Sequence, residues 1–485
     1  MRPLFRPLAA LLVVTAAIFV SRTTISADDE TPPAKPPAAT PSTEAPPLPP
    51  GVPGIDYRPV VTPDGTTLPF KVVDGVKVFH LTAEEVKHEF APGLVGRCWG
   101  YNGQVHGPTI EAVEGDRVRI YVTNRLPAPT TIHWHGLKVP NGMDGVAGLT
   151  QRAIETGETF RYEFTLTQHG TYMYHPHYDE MVQMALGMMG MFVIHPRKPT
   201  LPLPDRDFVY LLSEWAMVPG VERPDPNEMM DFNVLTFNGK VFPATAPLVA
   251  KRGDRVRIRI GNLSAMDHHP IHLHGHSFRV IETDGGAIAE AGQWPETTVL
   301  VPTGSTRTIE FTADNPGDWA FHCHMSHHTM TQMGHGIPNL IGVDQTAFDQ
   351  AVLDVLNGGK ASGTGGATDV SMDMPKNSIS MMGGPGPVGY ISMGGMFTVL
   401  KVREHLTSYD DPGWYEHPKG SVVGPATPSE LERDGIADPR TPVPSADPGT
   451  GAAPAKPAMP MPMPMPMPMP GIPAMDEAPH HDAVK

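Results

Sequence analysis

Short segments in which apolar and polar residues alternate recur along most of the chain. Residues 117–122 and 308–311 are examples, and every second position in each is apolar. Alternation with a period of two places one set of side chains on each face of a strand. Turn residues separate these segments at roughly every 8–12 positions, a spacing typical of β-sandwiches. The pattern therefore predicts an all-β chain built of sandwich domains.

Three stretches of sequence occur twice and in the same order, which indicates two copies of one domain. The offsets between the copies are 138, 139 and 147 residues. The repeated pairs are residues 115–120 with 253–258, 133–136 with 272–275, and 170–177 with 317–324. We find no third copy. The repeats place the first domain at residues 65–197 and the second at 205–345, with a proline-rich stretch between them.

The first 60 residues predict an export signal followed by a linker. Arg2 and Arg6 precede a short apolar run, and small residues follow at Ser26 and Ala27. Residues 1–27 thus resemble a signal peptide, which predicts a periplasmic or secreted protein. If the signal is not cleaved, it would instead anchor the chain to the membrane. Residues 28–60 are rich in proline and alanine and predict a disordered linker.

Beyond the second copy the composition shifts to glycine, proline, serine and methionine. Residues 346–403 form a methionine-rich extension, with a helix expected at 346–356 and a strand-like run at 396–402. Of the 28 methionines, 13 lie from Met372 onward, and six alternate with proline from Met459 to Met469. Such a sequence cannot form a packed core, so residues 404–485 are expected to be a disordered, extended tail.

Charge and cysteine content exclude some classes of function. The net charge is −16 and no basic stripe appears, which argues against nucleic-acid binding. Cys98 and Cys323 are the two cysteines of the sequence. If Cys323 binds a metal, Cys98 has no intrachain partner, and no disulfide framework exists.

Four His-x-His pairs mark equivalent places in the two copies. They are His133 with His135, His175 with His177, His272 with His274, and His322 with His324. Two residues apart on a strand, the members of a pair share a face. One such pair is weak evidence, because zinc hydrolases also use one. Four pairs in repeated register supply eight imidazoles, enough for three coppers with positions left open for dioxygen.

Cys323 stands inside the last pair and therefore faces away from His322 and His324 on an extended strand. A thiolate with two imidazoles and a weak thioether is the ligand set of a blue electron-transfer copper. Electrons that arrive on the cysteine side would have a path of one residue to the histidine side.

These four histidine motifs resemble the copper motifs of the multicopper oxidases, which include laccases, ascorbate oxidase, ferroxidases and cuprous oxidases. The resemblance covers residues 65–345. Two domains instead of the usual three resemble the two-domain, laccase-like or copper-resistance branch. The resemblance implies two tandem cupredoxin-like Greek-key β-sandwiches and four coppers.

The family pattern implies a role for each ligand of this chain. His269, Cys323 and His328 would bind the type 1 copper, with Met333 as its axial ligand. The trinuclear ligands would be His133 and His272 for type 2, His135, His175 and His324 for one type 3 copper, and His177, His274 and His322 for the other. Pro176 occupies the place of Cys323 in the first copy, so the first domain should lack a type 1 copper.

Asp144 resembles an acid that lies near the trinuclear site in the family and could relay protons. The alternative is an ordinary turn aspartate before Gly145. Thr329 stands where some members carry a glutamate after the last type 1 histidine. Four further histidines flank the predicted ligands and are expected to lie near copper without binding it: His268, His276, His327 and His335.

The resemblance also implies partners. Without a middle domain, the first domain of one chain would meet the second domain of its neighbour, most simply in a head-to-tail homotrimer. Dioxygen and a small reducing substrate are the expected reactants, and the substrate could be a phenol, Cu(I), Fe(II) or Mn(II). Residues 181–191 carry five methionines, which are either a Cu(I)-recruiting surface or core filling.

Two other functions fit part of this pattern. An exported copper-binding or storage protein would need no electron-transfer path from a cysteine-bound copper to a histidine cluster. A copper nitrite reductase would carry its blue site in the first domain, which Pro176 argues against.

Overall fold

The computed structural model describes residues 48–199, 202–218, 221–330 and 383–437. The predicted signal, Met333, the helix expected at 346–356 and the Met-Pro run lie outside these ranges. Within them, no helix is both long enough and apolar enough to cross a membrane.

The first sandwich contains nine strands in two sheets. In chain order they are β1 (Lys71–Val73), β2 (Val76–Ala91), β3 (Leu94–Tyr101), β4 (Ile110–Val113), β5 (Arg117–Asn124), β6 (His133–His135), β7 (Thr159–Thr165), β8 (Gly170–His175) and β9 (Gly190–His195). One sheet has the order β1-β2-β5-β7 with β3 paired to β2, and the other has the order β4-β9-β8-β6. The short helix α1 (Glu180–Ala185) joins β8 to β9.

The second sandwich repeats this plan. Its strands are β10 (Arg206–Trp215), β11 (Val234–Phe237), β12 (Leu248–Lys251), β13 (Arg255–Asn262), β14 (His269–Leu273), β15 (Phe278–Thr283), β16 (Gly286–Ala287), β17 (Trp294–Glu296), β18 (Thr298–Val301), β19 (Ser305–Thr312) and β20 (Gly317–Cys323). A two-stranded hairpin follows, β21 (Gly384–Gly386) with β22 (Gly389–Ile391), and then β23 (Phe397–Arg403). One sheet has the order β11-β10-β13-β19-β15-β16 with β17 on β15, and the other has β12-β23-β20-β14-β18.

The alternation read from the sequence is visible in the burial of β5. Val118, Ile120 and Val122 are fully buried, while the residues between them are partly exposed. Because the apolar face of each sheet packs on the other sheet, each domain has its own core. The predicted all-β class is confirmed.

Strand β23 enlarges the second sandwich beyond its predicted end. It pairs parallel with β12 and antiparallel with β20, so it lies inside the sheet. By its composition, the strand-like run at 396–402 belongs to the methionine-rich extension. Its alternating apolar side chains instead complete the core of the second domain, where Leu400 and Val402 are fully buried.

The two domains meet along β8, which packs against β13, β15 and β19. Thr171 on β8 hydrogen-bonds with Thr308 and donates to Glu282. Arg259 is 1% exposed, donates to Thr171 Oγ1 at 2.8 Å and forms an ion pair with Asp207 at 2.9 Å. A buried polar network therefore fixes the strand that ends at the predicted ligand His175 and leads to His177.

Residues 48–60 differ from the disordered linker that was predicted for 28–60. The amide of Val60 donates to Glu111 Oε2 at 3.0 Å, and the Tyr57 ring stacks on His195 at a centroid distance of 4.2 Å. Tyr57 is buried. One aromatic anchor and buried carboxylate acceptors thus hold a proline-rich segment that has no regular secondary structure of its own.

Residues 404–415 also differ from the predicted disordered tail. Tyr409 donates its hydroxyl to Asp254 at 3.0 Å, and the amide of Tyr415 donates to Asp318 at 2.7 Å. Residues 416–437 belong to a separate unit. It contains the helix α2 (Pro428–Arg433), which begins with a capping box between Thr427 and Glu430.

Candidate copper centres

Three buried side chains from different elements meet in the second domain. His269 begins β14, Cys323 ends β20, and His328 lies on the short 3-10 helix Ser326–Thr329. His269 Nδ1 and His328 Nδ1 are 3.0 Å apart, and Cys323 Sγ lies 3.3 Å from His328 Nδ1 and 3.8 Å from His269 Nδ1. We call these three residues the thiolate triad. Two imidazoles and a thiol that converge in this way can bind one copper ion.

Burial keeps the triad neutral. It raises the pKa of the Cys323 thiol to about 12 and lowers the pKa of His328 to about 4. Burial, and secondly the neighbouring His328, hold the pKa of His269 well below its usual range. Neutral imidazoles are ready to bind a metal, whereas the thiol must lose its proton, so metal binding here would release a proton.

Two residues beside the triad were not predicted. Ser264 Oγ lies 2.6 Å from His269 Nε2, and Asp267 Oδ2 lies 3.7 Å from His328 Nε2. Groups that contact the second nitrogen of a histidine ligand orient its ring. No sequence signal beyond closeness to His269 marks these residues. Met333 lies outside the described residues, so its axial role stays a prediction.

Four histidines cluster in the first domain, and we call them the first half-site: His133, His135, His175 and His177. His133 and His175 are cross-strand partners on β6 and β8. His135 Nδ1 lies 3.2 Å from His175 Nε2, and the His133 ring lies 5.6 Å from that of His177. The ligand atoms of His133, His135 and His175 all lie within 4.8 Å of one another.

The second domain repeats this geometry in the second half-site: His272, His274, His322 and His324. His272 and His322 are cross-strand partners on β14 and β20. His274 Nε2 lies 3.2 Å from His322 Nε2, and the rings of His272 and His324 lie 5.3 Å apart. Burial lowers the pKa of His322 to about 4, as it lowers that of His175 to about 3. Both imidazoles are therefore neutral near pH 7, the form that can bind a metal.

On strand β20, Cys323 of the thiolate triad directly follows His322 of the second half-site. Cys323 is fully buried in the core of the sandwich, opposite Ile271. His322 points to the other face and is linked to Cys323 by its Nδ1, which lies 2.7 Å from the Cys323 carbonyl oxygen. The sequence predicts that neighbouring residues of this strand face opposite sides of the sheet, and β20 has this arrangement.

Among the described residues, the first half-site makes no ring contact with the second. Among the described residues, the close ring contacts of each half-site are made inside its own domain. His135 Nε2 instead lies 2.8 Å from the carbonyl oxygen of Gly304 in the second domain. Four imidazoles on one side are too few for three coppers, so each half-site needs a second set of ligands.

Asp144 reaches the first half-site mainly through its backbone. Its carbonyl oxygen lies 2.8 Å from His133 Nδ1, and its carboxylate Oδ1 lies 3.5 Å from the same atom. The next residue, Gly145, has φ +88°, and a Cβ there would lie 1.6 Å from the Ile132 carbonyl oxygen. Because only glycine fits so close to the strand, this turn holds Asp144 against the histidine.

Glu180 is an acid that the sequence analysis missed. Its two oxygens lie 3.6 Å from His175 Nδ1 and 3.6 Å from His177 Nδ1. A carboxylate between two ligands can orient both rings. Its position three residues after His177 is the signal that could have revealed it.

The flanking histidines lie beside the ligands. His268 accepts from the Thr303 amide, and His276 lies 3.3 Å from the His274 carbonyl oxygen. The methionines of residues 181–191 divide between core and surface. Met188, Met189 and Met191 are buried, whereas Met181 is 60% exposed.

Comparison with known proteins agrees with this geometry. Two family models, each described as multicopper oxidase, match residues 82–199 and 219–340. The chain is 42% identical over 115 residues to copper resistance protein A of Escherichia coli, covering 24% of this chain and 19% of that protein. It is 33% identical over 217 residues to the multicopper oxidase MmcO of Mycobacterium tuberculosis, covering 38% and 42%. The chain thus spans less than half the length of these curated relatives.

A solved structure supports the fold over a longer range. The blue copper oxidase from Nitrosomonas europaea superposes with a TM-score of 0.51 at 27% identity, covering 70% of this chain and 91% of that one. The cupredoxin-like class is thereby confirmed. With the family match in both domains and copper-type ligand sets in each, the chain belongs to the multicopper oxidase family.

Proposed function

We propose that this chain is a copper-dependent oxidase that couples one-electron oxidation of a reducing substrate to the four-electron reduction of dioxygen to water. The observation that carries the proposal is the position of Cys323, which belongs to the thiolate triad and is bonded directly to two members of the second half-site. Bound copper would supply an electron acceptor at the triad and a dioxygen-reducing cluster at the joined half-sites.

The residues around the sites have separate tasks. Ser264 and Asp267 orient the triad imidazoles, and burial excludes water from the thiolate. The backbone from Cys323 to its two neighbours carries electrons from one site to the other. Asp144 contacts His133 and is placed to hold a proton for the reduction of dioxygen.

Measurement of oxygen uptake by the copper-loaded protein tests this proposal. We expect an intense blue absorption, four coppers per chain, and uptake of one dioxygen for every four electrons donated. A protein that binds copper but takes up no dioxygen would favour the alternative, an exported copper-binding protein.

We propose further that the two half-sites meet between chains in a head-to-tail homotrimer. Support comes from the separation of the half-sites inside one chain and from the need of each for more imidazoles. A closed ring satisfies every half-site with identical contacts. We therefore expect three copies by sedimentation.

Mixing two inactive variants tests the shared site directly. His133→Ala damages the first half-site and His272→Ala the second. If the chains are refolded together, about a quarter of the random interfaces would join two intact half-sites. Activity should reappear in the mixture to about that extent. No recovery would mean that each site is completed within its own chain.

The substrate class and location are also proposals. A phenol and a low-valent metal ion such as Cu(I), Fe(II) or Mn(II) are the candidates, and residues 1–27 support export to the periplasm or beyond, with a membrane anchor if they are not cleaved. Oxygen uptake should be compared between Cu(I) and a methoxyphenol, with and without residues 455–485. A Cu(I) preference that falls on truncation would indicate a cuprous oxidase that uses its Met-Pro tail.

A further inference from the structure

A cavity of about 470 Å³ lies between the two domains and brings together methionines from three distant segments. Met181 and Met184 lie three residues apart on α1 and therefore share a face of that helix. Met229 comes from the segment after β10, and Met266 from the loop before β14. We call this space the methionine cavity.

Three of the five methionines that line this cavity are unusually exposed. Met181 is 60% exposed, Met229 61% and Met266 54%. Methionine is among the residues most often buried, so core filling does not explain three exposed side chains around one opening. Thioethers are soft ligands that select Cu(I).

A buried carboxylate points to a cation in the same place. Glu214 lines the methionine cavity and is only 5% exposed. Its Oε1 accepts from the Met266 amide at 2.6 Å, and its carboxyl group also hydrogen-bonds with the Asp267 side chain. A cation in the cavity would stabilise the ionised form of this carboxyl.

The inner wall of the methionine cavity belongs to the first half-site. His135 and His175 both line it. The His175 side chain is only 4% exposed, whereas that of His177 is 39% exposed. In the proposed ring, the neighbouring chain would cover the exposed histidines. The methionine cavity reaches the buried His175 within a single chain.

We propose that the methionine cavity is a Cu(I)-binding site that passes copper to His135 and His175 while the trinuclear centre is being loaded with copper. This inference rests on the proposed function. The step is a ligand exchange, in which Cu(I) leaves thioethers and joins imidazole nitrogens. No electron moves, and no covalent bond of the protein forms or breaks.

Binding can be measured on the reduced, fully copper-loaded protein without oxygen. Cu(I) is titrated against a coloured Cu(I) chelator, and we expect one equivalent beyond the resident coppers. The triple variant Met181→Leu, Met229→Leu, Met266→Leu should bind this additional Cu(I) more than about tenfold more weakly. Leucine keeps the volume and apolar character, so the fold should be retained. Met230→Leu is the matched control, because Met230 is 74% exposed, adjoins Met229 and does not line the cavity.

The transfer itself is followed by giving Cu(I) to metal-free protein and admitting oxygen at set times. In the triple variant, the near-ultraviolet band of the two type 3 coppers should appear at least about tenfold more slowly. The blue band of the triad should appear at the normal rate, since the triad ligands do not line the cavity. Equal slowing of both bands, or no slowing, would overturn the proposal, as would the same effect in Met230→Leu.

Two further outcomes separate this proposal from others. If the wild-type protein forms no blue band and takes up no dioxygen, the proposed function fails, and the transfer role fails with it. If the fully loaded triple variant oxidises Cu(I) slowly although it loaded normally, the methionine cavity serves substrate, and its role in filling the centre is wrong.

Discussion

His272 lies directly across from His322 on the neighbouring strand, with the two ring centroids 5.6 Å apart. His133 and His175 have the same relationship in the first domain, at 5.4 Å. Each half-site is thus built on two adjacent antiparallel strands, which fix the spacing of its imidazoles before any metal binds. Inside the second histidine pair of each domain, Pro176 in the first domain corresponds to Cys323 in the second.

Replacing that cysteine should remove one copper and leave the others. Cys323→Ser takes the thiolate from the triad, so the blue absorption should vanish and the copper content should fall by one per chain. Oxidation of substrate should stop, because the path into the second half-site begins at this sulfur. Cys98→Ser is the control, since Cys98 is a buried free thiol away from the predicted ligands. A blue Cys323→Ser protein would contradict the assignment.

Asp144→Asn should slow the reduction of dioxygen without affecting reduction of the triad copper. The 2.8 Å contact to His133 comes from the backbone of Asp144, so the substitution keeps it and removes only the acidic function. General acid–base groups contribute about a hundredfold or more to rate. Stopped-flow kinetics can measure the two half-reactions separately. Unchanged turnover at unchanged copper content would mean that Asp144 is only a turn residue.

The buried His88 should make the protein less stable in acid. Burial lowers its pKa from 6.5 to about 4, so between these values the unfolded chain takes up a proton that the folded chain does not. Stability is fully present above pH 6.5 and falls as the pH drops toward 4, by on the order of 3 kcal/mol for this residue. Urea unfolding at several pH values measures this loss.

A matched variant isolates the contribution of His88. The His88 Nε2 lies 2.6 Å from the Gly239 carbonyl oxygen, and His88→Gln keeps an N–H donor there without an ionisable ring. Its stability should depend less steeply on pH than that of the wild-type chain. Parallel curves for the two proteins would show that other groups cause the loss.

Arg259 should be important for stability at the domain contact. Its guanidinium is 1% exposed and lies between Asp207 and Glu282. Arg259→Met takes the closest cation from both buried carboxylates and leaves Arg257, 3.9 Å from Asp207, as a more distant one. This loss should cost about 3–5 kcal/mol in the free energy of unfolding. Arg152→Met removes an exposed ion pair with Glu158 and should cost less than about 1 kcal/mol. Similar losses for both variants would argue against a special role of the buried network.

The sequence predicted the features that depend on local spacing. Alternation predicted the strands, and the His-x-His pairs predicted which residues share a face, as His133 and His135 do on β6. These are consequences of strand geometry and need no knowledge of distant contacts. The side chains that meet across the fold escaped prediction. Ser264 and Glu214 have no local pattern, because their contacts depend on how loops and domains pack.

Composition misled the prediction in two places. Residues 48–60 were expected to be disordered because they are rich in proline, yet Tyr57 anchors them against His195. The segment 346–403 was considered an extension because of its methionines, yet it contains β23. Average composition says little about a segment in which a few side chains pack well.

The position of β23 also limits how this chain can be shortened. A protein that ended before Phe397 would leave β12 and β20 with unpaired backbone groups facing each other across a gap in the sheet. Open strand edges of this kind recruit strands from other molecules and lead to aggregation. Any soluble truncated form must therefore retain residues 397–403. If the methionine-rich segment before them is removed, a linker must connect the second domain to these residues.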